Sequence, residues 1–468
     1  MAGKIYLVGA GPGSPDLITV RGRRILRQAE VVIYDYLVNQ EILSEVQPRA
    51  ELICCDKLAK KGSYSDGFLI QQEKIHRLMV KMAKQGKKVI RLKNGDPAIF
   101  SRLSGELEAL VKNKIDFEIV PGVTAASAAS AFSGIPLTDR RFASSCVFAT
   151  GHLSLAKKEN SIDWKNIAGF GTIVLYMAVE NLKLIAEELI KLGKSKTTPV
   201  AIVKDASLPW QKITLGTLAK ISQKAKAAKV KPPAIIIIGE VVRLEKKFNW
   251  FKKTKRVLFT GISSQRFFTN ELVFHLPLIK IIPLRDYRRM DVQLKDIGKY
   301  DWIIFTSRYG AQYFFQRLQR IGLDSRQLKG AKVAAIGQST KNQLLDFGIA
   351  ADLVPIDESS SGLIKAFKKY DLGGKRIFLT RSDLSDKGLA QALETQGGEV
   401  LACVCYRNIP AQNLPDLDLQ FFNEIMFTSP STVKSFKARY KKIPAGVKVR
   451  CIGKVTRKQA VKQGFINE

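Results

Sequence analysis

Short apolar segments alternate with amphipathic ones through most of the 468-residue sequence, and this alternation limits the fold more than any other feature. Apolar runs bounded by glycine or small polar residues indicate buried strands, and the amphipathic segments between them indicate helices. The clearest strands are KIYLVGA, KVIRLK, TIVLYM, PVAIV, AIIIIG and RVLFTG. We therefore expect α/β layers, and the length allows two or three domains.

The alternation is interrupted by a cationic stretch, RLEKKFNWFKKTK, at 243–255. We place a boundary near residue 252 and predict domains at 1–251 and 252–468. Beyond the boundary the sequence repeats itself at a spacing of roughly 120 residues, which predicts two similar α/β halves. The paired segments are KRVLFTGIS with KRIFLTRSD, DWIIFTSRYGAQYFF with NEIMFTSPSTVKSFK, and KVAAIGQSTKNQLLDFG with KVRCIGKVTRKQAVKQG.

Lysine and arginine outnumber aspartate and glutamate by 76 to 42, a formal charge of +34. Such an excess suits nucleic acid, an anionic membrane or a polyanionic small substrate. The lysines are scattered over predicted helix faces, without a basic tail or an RNA-binding aromatic motif. A basic surface without a dedicated partner is the simplest interpretation, and attraction of an acidic substrate is the next.

The longest apolar stretches are far shorter than a membrane span, and a strand is predicted from the fourth residue on, without a signal peptide. We expect a cytoplasmic protein that does not bind membranes. The six cysteines include no C-x-x-C spacing. Reduced thiols without a metal site are therefore expected.

The first strand leads into the loop GAGPGSPDLIT, whose glycines are typical of a nucleotide-binding turn. However, Ser14 stands where the third glycine of G-x-G-x-x-G belongs, and Pro12 and Pro15 remove backbone donors from the loop. Asp35 ends the next predicted strand, close to where a ribose-binding acid would lie. A dinucleotide pocket and a pocket for a different adenosyl cofactor both remain open.

Three later loops also follow predicted strands. VIRLKNGDPAIFSR exposes backbone and the Asp96 carboxylate at the carboxyl end of a strand, where α/β folds hold their ligands. VPGVTAASAASAFSGIPLT is rich in small residues that let a ligand or another backbone approach closely. IVLYMAVENL sets Tyr176 and Met177 at a third strand end, where core packing is the simplest interpretation.

Together with VVIYDYLV, TGH, PVAIV and PPAIIIIGEVVRLEKKFNWF, these segments resemble the S-adenosylmethionine-dependent uroporphyrinogen-III C-methyltransferases of the tetrapyrrole methylase group. The resemblance covers residues 4 to about 251. It implies two α/β subdomains around a deep cleft, with the cofactor held mainly by loop backbone. Asn94 departs from the family pattern, which usually has a second glycine there, and FSRLSGELEAL lacks the common GRGGEE run.

The same resemblance implies the residues of the methylase site. Asp35 falls where the family places a candidate proton acceptor, and Lys57 lies near the lysine of the family's GK motif, with Lys60 or Lys61 as alternatives. Positioning of a carbon nucleophile against the methyl group supplies most of the acceleration, so no metal is expected. The residues implied to line the cofactor site are Pro12, Gly95, Asp96, Ile99, Thr124, Ala125, Met177 and Ala206.

In the C-terminal domain, predicted strands end in small hydroxyl residues that we expect to cap the helices that follow. Several helix N-termini facing one cleft would suit a ligand with many carboxylates. The expected caps are Thr306, Ser307, Ser339, Thr340, Thr428, Ser429 and Thr456.

YDWIIFTSRYGAQYFF, AAIGQSTKNQLLDFG, GKRIFLTRSD and IMFTSPSTVKSF resemble uroporphyrinogen-III synthase over about residues 254–468. That resemblance implies a bilobal α/β fold with a two-stranded link, one lobe from 254–285 with 408–468 and the other from 286–407. It also implies that Tyr406 assists loss of the substrate hydroxyl and that no cofactor is used. The residues implied to hold substrate carboxylates are Thr306, Ser307, Arg381, Thr428, Ser429, Ser431 and Thr456.

The two resemblances together imply a bifunctional enzyme of tetrapyrrole synthesis. It would cyclise hydroxymethylbilane to uroporphyrinogen III and methylate that product twice, at C2 and C7, to precorrin-2, the precursor of sirohaem and corrinoids. The alternatives are another tetrapyrrole or diphthine-type methylase and a basic nucleic-acid-binding protein. Methylase relatives are commonly homodimers, so a homodimer through the methylase domain is expected.

Overall fold

The computed structural model describes residues 3–55, 66–151, 162–263, 271–385, 387–412 and 414–467. The strands of the N-terminal half are β1 (Ile5–Gly9), β2 (Val31–Tyr34), β3 (Glu51–Cys54), β4 (Val89–Lys93), β5 (Phe117–Val120), β6 (Cys146–Thr150), β7 (Thr172–Tyr176), β8 (Pro199–Lys204), β9 (Lys212–Thr217) and β10 (Ala234–Ile238). Its helices are α1 (Val20–Leu26), α2 (Gln40–Leu43), α3 (Asp66–Lys84), α4 (Leu103–Lys112), α5 (Ala125–Ser133), α6 (Trp164–Ala168), α7 (Leu182–Lys191), α8 (Ile221–Ala227) and α9 (Glu245–Phe248).

The first sheet is parallel throughout, in the order β3-β2-β4-β1-β5. Its central strands β2, β4 and β1 are buried on both faces, because alternate residues point to helices on opposite sides. Leu7 and Ile33 pack with side chains of α3 and α4, whereas Val8 and Val32 pack with those of α1 and α2. Since the strands are parallel, the residues after β1, β2, β4 and β5 all lie along one edge of the sheet.

The second sheet is mixed, in the order β6-β7-β10-β8-β9. Only β6 and β7 run parallel; the pairs β7/β10, β10/β8 and β8/β9 are antiparallel. The apolar runs predicted as strands, TIVLYM, PVAIV and AIIIIG, form β7, β8 and β10. The predicted α/β layers are therefore confirmed for this half, and the sheet carries the antiparallel pairs that the sequence pattern alone did not indicate.

The C-terminal half contains two further sheets. Its strands are β11 (Arg256–Phe259), β12 (Leu272–His275), β13 (Ile279–Ile282), β14 (Trp302–Phe305), β15 (Lys332–Ala335), β16 (Arg376–Ser382), β17 (Glu399–Pro410), β18 (Glu424–Phe427) and β19 (Lys448–Cys451). Its helices are α10 (Arg288–Lys295), α11 (Arg308–Arg320), α12 (Gln338–Leu345), α13 (Ser360–Phe367), α14 (Gly388–Thr395), α15 (Pro430–Tyr440) and α16 (Lys454–Lys462).

One of these sheets is parallel, in the order β12-β11-β18-β19, and the other has the order β13-β17-β16-β14-β15. As expected, the first strand of this half, β11, pairs with the C-terminal strand β18. Strand β13 lies in the predicted segment 254–285 and pairs antiparallel with residues 407–410 at the end of β17, which places it at the edge of the second sheet. The β13–β17 pair forms the expected two-stranded link, because the long β17 continues from the second sheet toward the first lobe.

The helix caps of the C-terminal half agree only in part with the sequence prediction. Ser307 caps α11 by accepting from Gly310 N, and Ser429 caps α15 in a reciprocal capping box with Thr432. The prediction was wrong elsewhere: Gly337 precedes α12 and Gly453 precedes α16, so Ser339, Thr340 and Thr456 lie inside those helices. Thr306 and Thr428 precede the capping serines. In α12 and α16 a glycine takes the N-cap position, so these hydroxyl residues lie within the first turn of the helix.

Strand β12 touches the N-terminal half at two adjacent residues. The Phe274 ring lies 5.0 Å from the Trp210 ring, centroid to centroid, and His275 Nδ1 lies 3.3 Å from Glu41 Oε1. Trp210 follows β8, and Glu41 lies on α2. The two halves therefore meet at loops that follow strands of both N-terminal sheets.

Over the residues that the structure describes, no helix combines the length and the apolar character that a bilayer crossing requires.

Candidate active sites

Three glycines at one edge of the first sheet bring its loops into backbone contact. A Cβ atom on Gly9 would lie 2.6 Å from the Gly122 Cα, and a Cβ on Gly122 would overlap the Gly95 carbonyl oxygen. Gly9 ends β1 and Gly122 follows β5, and at both positions only glycine permits this close approach; Gly95, after β4, instead needs the left-handed backbone that glycine adopts readily. The sequence analysis selected Gly95 as a site residue and missed the requirement at Gly9 and Gly122, although both stand in the quoted loops.

The glycine-rich loop after β1 is fastened to the loop after β4. Gly95 N donates to Gly11 O at 2.8 Å and Gly11 N donates to Gly95 O at 3.2 Å, with both glycines in the left-handed region at φ +68° and +79°. On its other side the loop is held by Asn39, whose Nδ2 donates to Gly13 O at 2.8 Å. Pro12, a predicted cofactor contact, is thereby held at the edge of the sheet between two fixed glycines.

Asp96 uses its carboxylate to join two loops. Its Oδ1 accepts from Ala98 N at 2.7 Å and its Oδ2 accepts from Gly122 N at 2.8 Å. The loop after β4 and the loop after β5 are thus fixed relative to each other. This is a loop-shaping role visible in the structure, and a direct contact of Asp96 with a cofactor stays a prediction.

Two aromatic side chains contact each other next to these loops, Tyr176 from the second sheet and Phe100 from the segment after β4. Tyr176, at the end of β7, shares a hydrogen bond with Thr124 Oγ1 at 2.7 Å, and its Oη accepts from Ala126 N at 3.2 Å. Burial raises the pKa of Tyr176, so the phenol is protonated. The ring of Phe100 lies 4.8 Å from that of Tyr176 and is 42% exposed. The sequence analysis did not select Phe100, and its left-handed backbone, φ +49°, gave no signal in the sequence.

The remaining predicted cofactor residues lie near Tyr176 or next to it in the chain. Ile99, Ala125 and Ala206 belong to one apolar cluster with Tyr176. Met177 follows β7 with φ +51° and is 50% exposed, so it is not the core methionine that simple packing would give. Ser14 N donates to Ser207 Oγ at 3.0 Å and joins the loop after β1 to the loop that carries Ala206.

Asp35 follows β2 at the same edge and is held by two donors. Arg91 Nη2 donates to its Oδ1 at 2.5 Å and Asn94 N donates to its Oδ2 at 3.1 Å. Its side chain is 30% exposed. The departure at Asn94 does not disturb this arrangement, because the contact comes from the backbone N–H. The other predicted catalytic residue of this half, Lys57, and its alternatives Lys60 and Lys61 lie outside the described residues.

In the C-terminal half, Tyr406 on β17 meets the N-terminus of α11. Its Oη and Ser307 Oγ share a hydrogen bond of 2.9 Å, and the side chain is 6% exposed. Rings of Tyr309 and Tyr313 lie 6.2 and 5.9 Å from the Tyr406 ring. Burial raises the pKa of Tyr406, although its hydrogen bond with Ser307 acts in the opposite direction. The phenol is therefore a proton donor at neutral pH.

Arg381, at the end of β16, lies next to this pair in the same sheet. Its Nη2 donates to Ser385 O, and within the described part of the chain its buried Nε has no hydrogen-bond partner. Thr306 donates through Oγ1 to Thr380 O at 2.6 Å, so its hydroxyl is occupied by the neighbouring strand. A guanidinium donor without a hydrogen-bond partner suits an anionic ligand.

A second group of predicted substrate residues lies at the start of α15. Ser429 and Ser431 share a hydrogen bond of 2.9 Å between their hydroxyls, and Asn408 Nδ2 on β17 donates to Ser431 Oγ at 3.2 Å. Thr428 borders Gly261, whose Cβ would contact its side chain. Thr456 is buried within α16. The structure thus groups Ser307 with Tyr406 and Ser429 with Ser431, while Thr456 is turned into the protein.

Among the described residues no three His, Cys, Asp or Glu side chains are grouped as a metal ion would require, and none of the six cysteines forms a disulfide. Both candidate sites are therefore built from backbone groups, hydroxyls, aromatic rings and a few charged side chains. In the N-terminal half these groups lie where loops that follow strands of the first sheet contact residues of the second sheet, in an α/β fold of two sheets.

Comparisons with known proteins define the family. The family model for Tetrapyrrole (Corrin/Porphyrin) Methylases matches residues 4–222, and that for Uroporphyrinogen-III synthase HemD matches residues 271–467. The Porphyrin biosynthesis protein HemD of Ruminiclostridium josui is 33% identical over 98% of this chain and 94% of its own length. The chain belongs to this family, in which a tetrapyrrole methylase is fused to uroporphyrinogen-III synthase.

Other relatives match the N-terminal half. The S-adenosyl-L-methionine-dependent uroporphyrinogen III methyltransferase of Methanosarcina barkeri is 45% identical over 52% of this chain and 93% of its own length. The siroheme synthase of Thiobacillus denitrificans is 45% identical over 53% of this chain, and the match spans 51% of that longer protein. The uroporphyrin III C-methyl transferase structure from Thermus thermophilus is 35% identical over 52% of this chain and 94% of its own, with a TM-score of 0.44.

Proposed function

We propose that the chain cyclises hydroxymethylbilane to uroporphyrinogen III and then methylates that product at C2 and C7 with S-adenosylmethionine, forming precorrin-2. The observation that carries the proposal is the order of two family matches in one chain, methylase then synthase, together with a relative that aligns over nearly the whole length. One half would make the compound that the other half consumes. The product would supply sirohaem or corrinoid synthesis.

The strand-end loops of the N-terminal half fit an adenosyl cofactor. Gly9 and Gly122 leave no room for side chains where their loops meet, and Gly95 has a left-handed backbone, φ +68°, so backbone groups of these loops would border the cofactor. Tyr176, Thr124 and the half-exposed Met177 supply short polar and apolar contacts on the opposite side. S-adenosylmethionine, when bound, supplies an electrophilic methyl group. Pro12, Gly95, Asp96, Ile99, Thr124, Ala125, Met177 and Ala206 would hold it.

In this proposal the residues of the chain position the macrocycle, stabilise the positive charge that develops on it and accept its proton. Asp35 lies at the same sheet edge as the loops, partly exposed, and Lys57 is proposed as its partner. Alignment of a ring carbon with the methyl group provides most of the acceleration. The proton that the macrocycle then loses would pass to a carboxylate or a neutral lysine.

In the C-terminal half, Tyr406 would assist departure of the substrate hydroxyl. Its buried phenol stays protonated at neutral pH, so it can donate a hydrogen bond to the leaving oxygen. Arg381 and the helix N-termini at Ser307 and Ser429 would hold substrate carboxylates, helped by Thr428 and Ser431. Thr306, whose hydroxyl donates to Thr380 O, and the buried Thr456 are not included in this proposal. The high net positive charge of the chain would favour such a polyanionic substrate.

The test supplies the purified chain with hydroxymethylbilane and S-adenosylmethionine and weighs the tetrapyrrole product. A cyclic product heavier than uroporphyrinogen III by two CH2 units is expected, because the macrocycle loses one proton for each methyl group that it gains. A methylated product of different mass would indicate another tetrapyrrole methylase or a diphthine-type enzyme. Salt-sensitive binding of DNA or RNA without methyl transfer would contradict the proposal.

We also propose that the protein is cytoplasmic, binds neither nucleic acid nor membranes, and forms a homodimer through its methylase half. Light scattering on the purified chain tests the dimer. A mass of one chain, near 52.1 kDa, would contradict it.

A further inference from the structure

Four charged side chains form one continuous cluster beneath the methylase cleft. Three are almost inaccessible: the side chains of Arg91, Lys93 and Glu106 are 4%, 2% and 1% exposed. The fourth is Asp35, which is 30% exposed and lies at the cleft. None of these three residues was selected from the sequence. Arg91 and Lys93 belong to the predicted strand KVIRLK, and Glu106 belongs to the segment FSRLSGELEAL that follows it.

Glu106, on α4, bridges the two buried cations. Its Oε1 accepts from Arg91 Nε at 2.8 Å and its Oε2 accepts from Lys93 Nζ at 2.7 Å. The opposite side of the Arg91 guanidinium donates through Nη2 to Asp35 Oδ1 at 2.5 Å. Its Nη1 donates to Leu92 O at 3.2 Å. The guanidinium is therefore fixed between the buried carboxylate and the one that borders the cleft.

The charges of the cluster balance only when Asp35 is ionised. An unpaired buried charge is costly, so two buried cations require two anions nearby. Burial alone would lower the pKa of Arg91, but Asp35 and Glu106 raise it above its usual range. Burial and the Arg91 charge lower the pKa of Lys93, against the effect of Glu106. Loss of either carboxylate would leave an excess positive charge in the core.

We infer that Glu106 is a positioning residue of the methylase site, which neutralises Lys93 and orients Arg91 so that Arg91 holds Asp35 as a fixed anion at the cleft. The inference rests on the proposed function and makes its chemistry more specific. Because Arg91 and Asn94 already donate to both carboxylate oxygens, Asp35 serves first as a fixed negative charge and hydrogen-bond acceptor.

A fixed anion suits the charge movement of methyl transfer to a neutral pyrrole. The bond from sulfur to the methyl carbon breaks with its electron pair left on sulfur, and the ring carbon forms the new bond with its π electrons. The positive charge moves from sulfur to the macrocycle, and it is discharged when the macrocycle loses a proton from an atom other than the methylated carbon, which is already fully substituted. A preorganised carboxylate near the macrocycle stabilises that charge as it develops.

The test uses four variants of the full chain, assayed with uroporphyrinogen III and S-adenosylmethionine. E106Q should lower kcat by about tenfold or more, while the affinity for S-adenosylhomocysteine changes by less than about threefold, because Glu106 acts through Asp35. E108Q, the same substitution on the exposed side of α4, is the matched control and should resemble wild type.

Two double variants separate positioning from simple loss of packing. K93M/E106Q and R91M/E106Q each remove one buried cation with the anion, but only the first keeps the Arg91–Asp35 pair. We expect K93M/E106Q to recover at least about threefold of the kcat that E106Q lost, and R91M/E106Q to recover none. This pair also serves if E106Q alone does not fold. Equal kcat in the two double variants, or wild-type kcat in E106Q, would overturn the inference.

A crystal structure of E106Q, or of K93M/E106Q beside R91M/E106Q, provides a readout that does not depend on turnover. In E106Q the Arg91 Nη2 and Asp35 Oδ1 atoms should separate beyond hydrogen-bond distance, and in K93M/E106Q they should remain paired. An unchanged pair in E106Q would contradict the positioning role even if wild type were inactive. Absence of methyl transfer by wild type, with the expected separation in E106Q, would instead count against the proposed function alone.

Discussion

Asp35 shows how one side chain at a strand end depends on groups that are remote in sequence. It follows β2, but its donors come from β4 and the loop after it, through Arg91 and Asn94 N. Parallel strands place these residues at one edge of the sheet. The position of Asp35 could be selected from the sequence by resemblance. Its pairing with the buried Arg91 could not, because the segment VIRLK does not show which of its side chains face α4 and which face the opposite side of the sheet.

Replacement of Asp35 by alanine should lower methyl-transfer kcat by about a hundredfold and change cofactor affinity by only a few-fold, since removal of a charge that acts in the transition state costs roughly 2–4 kcal/mol. Turnover with uroporphyrinogen III and calorimetry with S-adenosylhomocysteine measure the two effects. Asp116→Ala removes an exposed carboxylate of the same half and serves as the control. Unchanged turnover in the Asp35 variant would eliminate the role.

Tyr406→Phe should lower cyclisation of hydroxymethylbilane by about tenfold to a hundredfold, because it keeps the ring and removes the phenol that pairs with Ser307 Oγ. Formation of uroporphyrinogen III measures the effect. Tyr300→Phe is the matched control, since the Tyr300 hydroxyl bonds to Gln293 and its ring packs on Phe378. A normal rate in Y406F would leave Tyr406 as a packing residue only.

At the scale of elements, the apolar strands were predicted well and the loops that join them were not. KIYLVGA, KVIRLK and RVLFTG form β1, β4 and β11, because a run of β-branched and aliphatic residues is buried on both faces of a parallel sheet. The caps show the opposite case. Ser339 and Thr340 have the residue type of an N-cap, but Gly337 takes that position in α12. Which residue caps a helix depends on where the chain leaves the preceding strand, and the residue type alone does not determine that point.

The meeting of three strand-end loops leads to a prediction at this scale. Gly122→Ala should destabilise the methylase half by about 1–3 kcal/mol or more, because the new Cβ would overlap the Gly95 carbonyl oxygen. Thermal unfolding and S-adenosylhomocysteine affinity should both fall. Gly169→Ala is the control, since its Cβ would meet its nearest neighbour, Asn166 O, at 3.4 Å. Equal melting temperatures for the two variants would show that the loops can shift apart at little cost.

At the scale of the whole molecule, strand β12 connects the synthase half to both sheets of the methylase half. Phe274 packs on Trp210 of the loop that follows Ala206 and Ser207, and His275 contacts Glu41, two residues after Asn39. Both methylase loops are held to the glycine-rich loop after β1, through Ser14–Ser207 and Asn39–Gly13. The halves are therefore in contact next to the elements that shape the cofactor cleft.

The Glu41–His275 contact makes the stability of the molecule depend on pH. Burial raises the pKa of Glu41, and the hydrogen bond to His275 only partly offsets this. A carboxyl group with a raised pKa in the folded state contributes stability that is present at low pH and lost as the pH rises through its folded pKa. The melting temperature of E41Q relative to wild type should therefore increase from about pH 4 to pH 7. Glu73→Gln, at an exposed ion pair, is the control.

A melting-temperature difference between E41Q and wild type that is constant or decreases over that range would contradict this assignment. The measurement requires the full chain, because the contact joins the two halves.

By itself, the sequence determined the α/β class, the repeated C-terminal half, the main strands and the family, because these depend on local hydrophobic patterning and on motifs that are contiguous in the chain. The tertiary structure alone decided the placement of β13 in the second sheet, the true helix caps and the charge cluster of Asp35, Arg91, Lys93 and Glu106. Each of these depends on which face of a strand or helix meets a segment distant in sequence. That pairing is set by long-range packing and by the need to neutralise buried charge.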